Sequence, residues 1–203
     1  MTARMPDGRP LVGPILRLDP ATANDADELF TLLDDERIWA ADYSGGPANK
    51  PTSPAQCAER IPDRAERIQY VARLIADSPL GGAGTVVGTS SLGDFSLVDE
   101  RAHLGWTAYA PAVWGTAVNP ACKLLLLGHC FDDCGFGRVK IQTDTINTRS
   151  QAAIAKLGAQ REGVLRRHMA KPDGSWRDTV VFSVLVDEWP RVADGLRARI
   201  AAD

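Results

Sequence analysis

The sequence predicts an α/β (mixed α+β) fold with a mostly antiparallel sheet and helices on both faces. Two β-rich runs, at 70–75 and 86–95, flank a Gly-rich turn that is typical of a hairpin. Farther along, strand-like and helix-like segments alternate, as they do when strands share a sheet with covering helices. With 203 residues, 44% of them hydrophobic, the chain is long enough for one full core. We therefore expect a single domain at 10–203 after a polar, flexible leader at 1–9.

The first third of the chain predicts one strand and two helices around a long loop. Apolar residues recur at helical spacing after Asn24, which is a suitable N-cap. Pro62 should interrupt the helix that follows the loop. Long loops in compact domains are often functional, so this one is a candidate rim of a substrate site, with an ordinary solvated loop as the equal alternative. The predicted elements are a strand at 12–18, a helix at 24–35, a loop at 40–54 and a helix at 55–69.

The remaining two thirds predict six strands and three helices. Gly135 and Gly158 stand where helices should stop, because glycine readily adopts the left-handed conformation of a helix C-terminus. A Pro-Asp-Gly sequence at 172–174 is typical of the turn between the last two strands. The predicted strands lie at 70–75, 86–95, 103–109, 139–143, 160–169 and 176–185, and the helices at 120–133, 148–157 and 187–201.

Composition and charge exclude several classes of function. A net charge of -3 and a pI near 5.6 argue against a nucleic-acid-binding surface, which would be basic. The longest aliphatic run, 124–127, is far short of the ~20 residues of a membrane span, so we expect no membrane association. The four cysteines have no metal-ligand spacing, and we predict no metal site and a cytoplasmic location with reduced thiols. Among the histidines, His129 is expected to face solvent.

A Gly-containing turn at 114–118 joins a strand-like run to a helix and is a candidate phosphate cradle. Asn119 is a suitable N-cap and Pro120 a suitable first helical residue, so the helix should begin there. Free N–H groups, the helix dipole and small side chains together favour an anion, although an ordinary loop is the alternative. Neither G-x-x-x-x-G-K-[ST] nor G-x-G-x-x-G before a helix is present, which argues against an NTPase, a kinase or a Rossmann dehydrogenase.

Several short motifs resemble, in order and spacing, the acetyl-CoA-binding half of the GNAT N-acetyltransferases. Within this family, the motifs are most similar to the group of ribosomal-protein alanine N-acetyltransferases (RimJ/RimL-like). The resemblance covers about residues 11–190 and is most specific from 104 to 189. The motifs are the turn at 111–119, N-T-R-S at 147–150, K-L-G-A at 156–159, E-G-V-L-R at 162–166, Gly174 with Arg177-Asp178, and E-W-P at 188–190.

The resemblance implies that the strands at 103–109 and 139–143 splay apart and that coenzyme A lies between them. The family's Q/R-x-x-G-x-G/A pattern aligns with 112–117, where Ala112 replaces the Gln or Arg and removes a side-chain contact without touching the backbone amides. Acetyl-CoA is then the co-substrate, and no metal is needed. The residues implied in binding it are Thr107, Ala108, Trp114, Gly115, Thr116, Ala117, Val118, Asn119, Asn147 and Ser150.

Acyl transfer from a thioester requires a neutral amine, a polarised carbonyl and a proton for the thiolate. The resemblance implies that Ser150 supplies the proton, that Asn147 holds the pantetheine arm, and that a backbone N–H near 106–108 holds the thioester oxygen. His103 stands where many relatives have a Glu base, and its ordinary pKa of ~6.5 suits that role. His168 is the second candidate base. The alternatives are structural roles for Ser150 and for both histidines. A route without a base, in which the amine arrives already deprotonated, is also open.

Further residues are candidates for substrate contacts. Aromatic side chains of the strands and the cradle could line an acceptor pocket, with core packing as the more frequent role. Three basic helix residues could meet the phosphates of coenzyme A, with a solvated charge as the favoured alternative. The aromatic candidates are Trp106, Tyr109, Trp114 and Trp176, and the basic ones are Lys123, Arg149 and Lys156.

The predicted function is N-acetyltransferase activity, with direct transfer from acetyl-CoA to a primary amine in a ternary complex. The acceptor class stays open between protein or peptide N-termini and small amines. Two alternatives also stay open, namely a catalytically silent acyl-CoA-binding module and a transferase for a larger acyl group such as succinyl. A homodimer is a further expectation that no residue pattern fixes.

Overall fold

One sheet organises the two stretches, residues 3–40 and 43–203, that the computed structural model describes. Its eight strands are β1 Leu11–Val12, β2 Leu16–Pro20, β3 Arg67–Leu74, β4 Val86–Ser96, β5 Arg101–Tyr109, β6 Arg138–Asp144, β7 Gln160–Ala170 and β8 Trp176–Leu185. Their spatial order is β1-β2-β3-β4-β5-β6-β8-β7. Every neighbouring pair is antiparallel except β5 and β6, which are parallel. The predicted fold class is therefore confirmed.

Helices cover both faces of this sheet. Alternation along β3 separates the faces, because Tyr70 and Ala72 belong to one apolar cluster and Val71 to the other. The larger cluster holds the buried sides of the helices that follow β5 and β8, and the smaller one holds those of the helices between β2 and β3. The helices are α1 Ala26–Leu33, α2 Glu36–Ala40, α3 Pro54–Glu59, α4 Val118–Gly128, α5 Thr148–Lys156 and α6 Trp189–Ala201.

The parallel pair β5–β6 splays apart, as the resemblance implies. Paired residues run from Arg101↔Arg138 to His103↔Lys140, and beyond them no described residue pairs with β5 on its β6 side. A bulge accompanies the splay, because two residues of β5, Trp106 and Thr107, stand opposite one residue of β4. Trp106 has a φ of 50°, which is unusual for a non-glycine residue. A cleft therefore opens in the middle of the sheet.

The single strand predicted at 12–18 is wrong, because a hairpin divides this segment. Gly13 and Pro14 turn the chain, and the Gly13 N–H donates to the Leu16 carbonyl at 2.8 Å. Leu11 then pairs with Leu18 across β1 and β2. The apolar alternation on both sides of the turn conceals it in the sequence.

The helix predicted at 24–35 is shorter, and Asn24 does not cap it. A 3-10 turn over Ala23–Asp25 precedes α1. The Asp25 carboxylate accepts both the N–H and the hydroxyl of Thr22, at 2.7 and 2.9 Å, so these two residues stabilise the helix start.

The helix predicted at 55–69 is also wrong in its second half. Ser53 caps α3 by accepting the Gln56 N–H at 3.3 Å, and the helix ends at Glu59, before Pro62. From Arg67 the chain instead pairs with β4, starting at Gly93. Tertiary pairing thus overrides local helix propensity.

Helix α4 begins earlier than predicted, and its far end differs from a regular α-helix. Val118 is its first residue, so Asn119 and Pro120 lie inside the first turn rather than at its cap. After Gly128 the chain makes a π-helical turn over His129–Asp133, and Gly135, with φ 70°, ends it as predicted.

The expectation that His129 faces solvent is wrong. The residue is only 3% exposed, and Nδ1 lies 2.8 Å from Asp133 Oδ2 within the π-helical turn. On its other side the ring faces the N-terminal segment, where Asp7 Oδ1 is 3.8 Å from Nε2.

The described part of the N-terminal segment, residues 3–9, has no regular structure but contacts the end of this π-helical turn. Arg4 donates from its backbone N–H to the Cys134 carbonyl at 2.9 Å, and Arg9 forms an ion pair with Asp133. A flexible leader and the domain boundary at residue 10 stay predictions; residues 1 and 2 lie outside the described ranges.

Within residues 3–40 and 43–203, no helix combines the length and apolar character that a bilayer crossing requires.

Candidate active site

A cavity of about 740 Å³ opens where β5 and β6 separate. It brings together residues from β5, β6, the turn before α4, the start of α5, the 43–49 loop and the β7–β8 turn. Eight predicted site residues line it, and four, Thr116, Ala117, Val118 and His168, do not. The eight are His103, Thr107, Ala108, Trp114, Gly115, Asn119, Asn147 and Ser150.

The candidate cradle before α4 has the backbone conformation that a close approach requires. Gly115 has φ 86°, and nothing lies within 4 Å of the position of a Cβ there. The Thr116 hydroxyl donates to the Val113 carbonyl at 2.8 Å and fixes the turn. The Ala117 N–H donates to the Asp203 carboxylate at 2.8 Å, so an anion already occupies one amide of this helix start.

Asn147 and Ser150 stand at the start of α5, on the other wall of the cleft. The Asn147 side chain is the N-cap and accepts the Ser150 N–H at 2.9 Å. This bond fixes the first turn of α5 and turns the residue pair toward the cavity that both line. The cap thus holds the backbone of Ser150 at the cleft.

His103 lies at the closed end of the splay with one nitrogen held and one free. Nδ1 is 3.1 Å from Asp94 Oδ2, and Lys140 Nζ contacts the same oxygen at 3.0 Å. The hydrogen bond from His103 is the main reason that the pKa of Asp94 is lowered, so Asp94 is a carboxylate and accepts the Nδ1 proton. Nε2 therefore carries the lone pair, and within the described residues this buried atom has no hydrogen-bond partner.

Burial controls the protonation of His103. The residue is 3% exposed, and burial lowers its pKa below 6.5, although Asp94 acts in the opposite direction. At neutral pH the ring is therefore neutral, with Nε2 available to accept a proton. Gly105 leaves the space beside this atom open, because a Cβ at that position would lie 2.8 Å from Nε2.

The β5 bulge rests on a buried lysine of α4. Lys123 Nζ donates to Thr107 Oγ1 at 2.7 Å and to Ser90 Oγ at 3.1 Å. Burial lowers the pKa of this amine to about 8, so it is still mostly charged at neutral pH. Lys123 lines the cavity near the bulge rather than projecting into solvent as a helix charge.

The loop predicted as a substrate rim contributes to the opposite side of the cavity. Tyr43, Ser44, Gly45 and Asn49 line it, while residues 41 and 42 of the predicted loop lie outside the described ranges. The Tyr43 hydroxyl donates to the Trp106 carbonyl at 3.4 Å, and burial raises the pKa of this phenol to about 12.

The other aromatic and basic candidates divide between the cavity and the surface. Trp106, Tyr109 and Trp114 line the cavity, and the Arg149 guanidinium lies 3.6 Å from the centre of the Trp114 ring. This contact joins the turn before α4 to the start of α5 across the cleft. Lys156 is exposed and does not line the cavity.

His168 and Trp176 lie apart from the cavity. His168 is exposed on β7, and its Nδ1 lies 3.0 Å from Thr179 Oγ1. Trp176 is 50% exposed beneath the Arg167 guanidinium. Neither residue lines the cavity, so this geometry does not support His168 as the base.

Sequence reasoning missed Asp94, the hydrogen-bond partner of His103. The contact arises because Gly93 pairs with His103 across β4 and β5, which no local pattern reveals. A Gly-Asp pair inside a β-rich run was the available indication, since it is typical of a bulge, and Asp94 indeed has φ 48°. Within the described residues, no group of three or more His, Cys, Asp or Glu side chains could hold a metal ion.

The profile of the acetyltransferase (GNAT) domain family matches residues 16–160 of this chain. No curated protein matches it at a significant level. Among solved structures, a candidate acetyltransferase from T. thermophilus has 30% sequence identity and a TM-score of 0.75, and the alignment covers 94% of this chain and 96% of that one.

Two further solved structures share the fold at lower identity. A candidate ribosomal-protein-serine acetyltransferase from Vibrio cholerae has 21% identity and a TM-score of 0.73, with 90% of this chain and 99% of that one covered. RimJ of Mycobacterium smegmatis, solved with CoA-disulfide, has 24% identity and a TM-score of 0.70, with 98% and 97% covered. At these identities the two structures show a shared fold.

Proposed function

Because the chain belongs to the GNAT acetyltransferase domain family, we propose that it transfers an acetyl group directly from acetyl-CoA to a primary amine. The observation that carries the proposal is the free Nε2 of His103 at the closed end of the splayed strands. A neutral, buried and oriented imidazole is suited to accept the proton that an amine loses when it attacks a thioester.

The residues of the cleft fit a coenzyme A molecule. The N–H groups at the start of α4 would donate to the pyrophosphate, as the Ala117 N–H already does to the Asp203 carboxylate. The pantetheine arm would follow the unpaired side of β5 beyond His103, near Thr107 and Ala108, with Asn147 and Ser150 on the facing wall. Acetyl-CoA supplies an activated acyl carbon, and the chain supplies its orientation.

Three groups of the chain serve the transfer in this proposal. His103 Nε2 accepts a proton from the attacking amine while Asp94 holds the tautomer and balances the imidazolium. A backbone N–H of the bulge at 106–108 stabilises the developing negative charge on the carbonyl oxygen. The Ser150 hydroxyl donates a proton to the departing thiolate from the first turn of α5.

The acceptor amine would approach from the side of the 43–49 loop and the β7–β8 turn. We propose a protein or peptide N-terminus as the first class to test, because the V. cholerae relative is described as a ribosomal-protein-serine acetyltransferase. Small amines are the second class. We also propose that the protein acts in the cytoplasm, where its four free cysteines would stay reduced.

Calorimetric titration with acetyl-CoA tests the proposal first, with free CoA and dephospho-CoA as comparisons. We expect saturable one-to-one binding, and then release of free thiol when an acceptor amine is added. Absence of binding would overturn the assignment of acetyl-CoA. Binding without turnover against peptide N-termini and small amines would favour the silent module, and preference for succinyl-CoA in direct competition would favour the larger donor.

The oligomeric state is a separate proposal. Strand β7 lies at the edge of the sheet, and most of its residues are exposed, including Val164 and Leu165. We propose a homodimer and expect light scattering after gel filtration to give twice the mass of the 21.9 kDa chain. A monomer mass would reject it without affecting the assignment of the reaction.

A further inference from the structure

Lys123 is a buried cation at the floor of the cleft. The residue is 5% exposed in the second turn of α4, and its Nζ contacts hydroxyl oxygens rather than a carboxylate in the described parts of the chain. A buried ammonium without a counter-ion is unfavourable for folding, so its presence in a core helix calls for a compensating interaction.

The compensating interactions are two hydroxyl oxygens on neighbouring strands. Nζ lies 2.7 Å from Thr107 Oγ1 on β5 and 3.1 Å from Ser90 Oγ on β4. These two oxygens are themselves 2.7 Å apart. A lysine of α4 therefore joins the helix that follows the cradle to both strands of the bulge.

One arrangement of the hydrogens satisfies the whole cluster. Both oxygens accept from the ammonium, Ser90 donates to Thr107, and Thr107 donates to the Gly105 carbonyl at 3.4 Å. A group with at least two donors is needed to fix both hydroxyls in this way. Met at position 123 has no donor and would make neither bond.

The cluster lies directly at the β5 irregularity. Trp106 and Thr107 together oppose Ser90, and Trp106 has φ 50°, so the bulge requires support from outside the strand ladder. Ser90 and Thr107 face each other across this irregularity, and Lys123 binds both. Tyr43 contacts the same bulge from the opposite face through the Trp106 carbonyl.

We propose that Lys123 is a positioning residue that holds the β5 bulge in the geometry needed for acyl transfer, acting through Thr107 and Ser90. The inference rests on the proposed function, in which a backbone N–H at 106–108 holds the thioester oxygen. Lys123 does not touch the acyl group in this role; it fixes the strand segment that does. Its positive charge beneath the bulge also favours the negative charge that develops above it.

Substitution with an uncharged residue of similar shape tests this role. In Lys123→Met we expect kcat to fall about tenfold or more, because a small displacement of an oxyanion donor has a large effect on rate. The Kd for acetyl-CoA should stay within about threefold, since the cradle amides are unchanged. The melting temperature should stay equal or rise, because the substitution removes a buried charge that has no counter-ion.

A double-mutant cycle separates positioning through Thr107 from a general effect of burial. Thr107→Val alone should lower kcat, and Lys123→Met combined with Thr107→Val should lower it no further than the stronger single variant. Ser90→Ala should have a smaller effect in the same direction. Ser91→Ala is the matched control, because its buried hydroxyl on the same strand has no hydrogen-bond partner in the described structure.

The outcomes distinguish this inference from the proposed function. If wild-type protein neither binds nor uses acetyl-CoA, the proposed function fails. If the wild type is active and Lys123→Met keeps its kcat, or if the two substitutions act additively, the positioning role is rejected. A Lys123→Met variant that melts at lower temperature and loses kcat and acetyl-CoA affinity together would also reject it, in favour of a purely structural lysine. Lys50→Met, at a surface ion pair with Glu36, serves as the control for loss of a lysine charge.

Discussion

At the scale of single residues, the candidate site depends on how two opposing effects set the protonation of His103. Burial lowers its pKa, while the hydrogen bond to Asp94 raises it, and burial is the larger effect. The ring therefore stays neutral below its ordinary pKa of 6.5, which keeps Nε2 free to accept a proton over a wider range of acidic pH.

The pH dependence of the rate tests this assignment. The acid limb of kcat/KM should lie below pH 6.5 in the wild type, because the base is lost only when pH falls through the lowered pKa of His103. Asp94→Asn should move this limb to still lower pH and reduce the plateau, since the carboxylate raises the pKa and basicity of the ring. His103→Gln should abolish the limb. Asp99→Asn, in the exposed turn before β5, is the control. An unaltered profile in His103→Gln would reject the base.

Gly105 provides a second residue-scale prediction. A Cβ there would lie 2.8 Å from His103 Nε2, so Gly105→Ala should displace the ring or block its free nitrogen. We expect kcat to fall about tenfold or more with little change in acetyl-CoA affinity, as for loss of a general base. Gly163→Ala on β7 is the matched control, because nothing lies within 4 Å of its Cβ position. Equal rates for both variants would contradict the assignment of Nε2 as the functional atom.

Ser150 is the candidate acid. Ser150→Ala keeps the N–H that Asn147 caps, so helix α5 should still form. We expect kcat to fall about tenfold to a hundredfold and the Kd for acetyl-CoA to change less, because a general acid acts only in the transition state. Ser78→Ala, in the turn between β3 and β4, should have no effect. A wild-type rate in Ser150→Ala would remove the residue from the mechanism.

At the scale of elements, local patterns predicted what local forces determine. The hairpin of β3 and β4 and the turn at 172–174 follow from Gly and Pro positions, and the structure confirms them. The helix predicted at 55–69 is wrong in its second half because those residues pair with β4 instead. The bulge in β5 could not be predicted from the strand itself, because it contacts Lys123 on α4, which is distant in sequence. Family resemblance identified His103 in the sequence. Its partner Asp94 was not identified, because their contact depends on how β4 and β5 are paired.

The start of α4 gives an element-scale prediction, because a carboxylate already occupies one of its amides. Asp203 accepts the Ala117 N–H at 2.8 Å, at the place proposed for the pyrophosphate. Asp203→Ala should therefore tighten acetyl-CoA binding about two- to fivefold, in line with a single charge at a helix start. Calorimetry measures this, with Asp194→Ala as the control, because Asp194 pairs with Arg197 on the exposed face of α6. An unchanged or weaker affinity would show that the two anions do not compete.

At the scale of the whole molecule, the sheet consists of two parts that meet along a short seam. Strands β1 to β5 form one part and β6, β7 and β8 the other, and only three residue pairs join β5 to β6 in the described structure. Contacts between side chains, such as Arg149 on Trp114, bridge the open part of the cleft. A ligand that fills the cleft along its length would connect both parts, whereas one confined to the cradle would not.

At equal concentration, acetyl-CoA should therefore bind more tightly, and stabilise the molecule more, than the nucleotide portion of the coenzyme does. At a concentration of about 100 times Kd, binding adds about 2.7 kcal/mol and should raise the melting temperature by about 5–10 °C. Hydrogen exchange at equal saturation compares acetyl-CoA with adenosine 3′-phosphate 5′-diphosphate, which lacks the pantetheine arm. The nucleotide should protect the amides near the start of α4 but not those of β5 beyond His103. Acetyl-CoA should protect both. Equal protection of β5 by the two ligands would contradict the proposed path of the arm between the splayed strands.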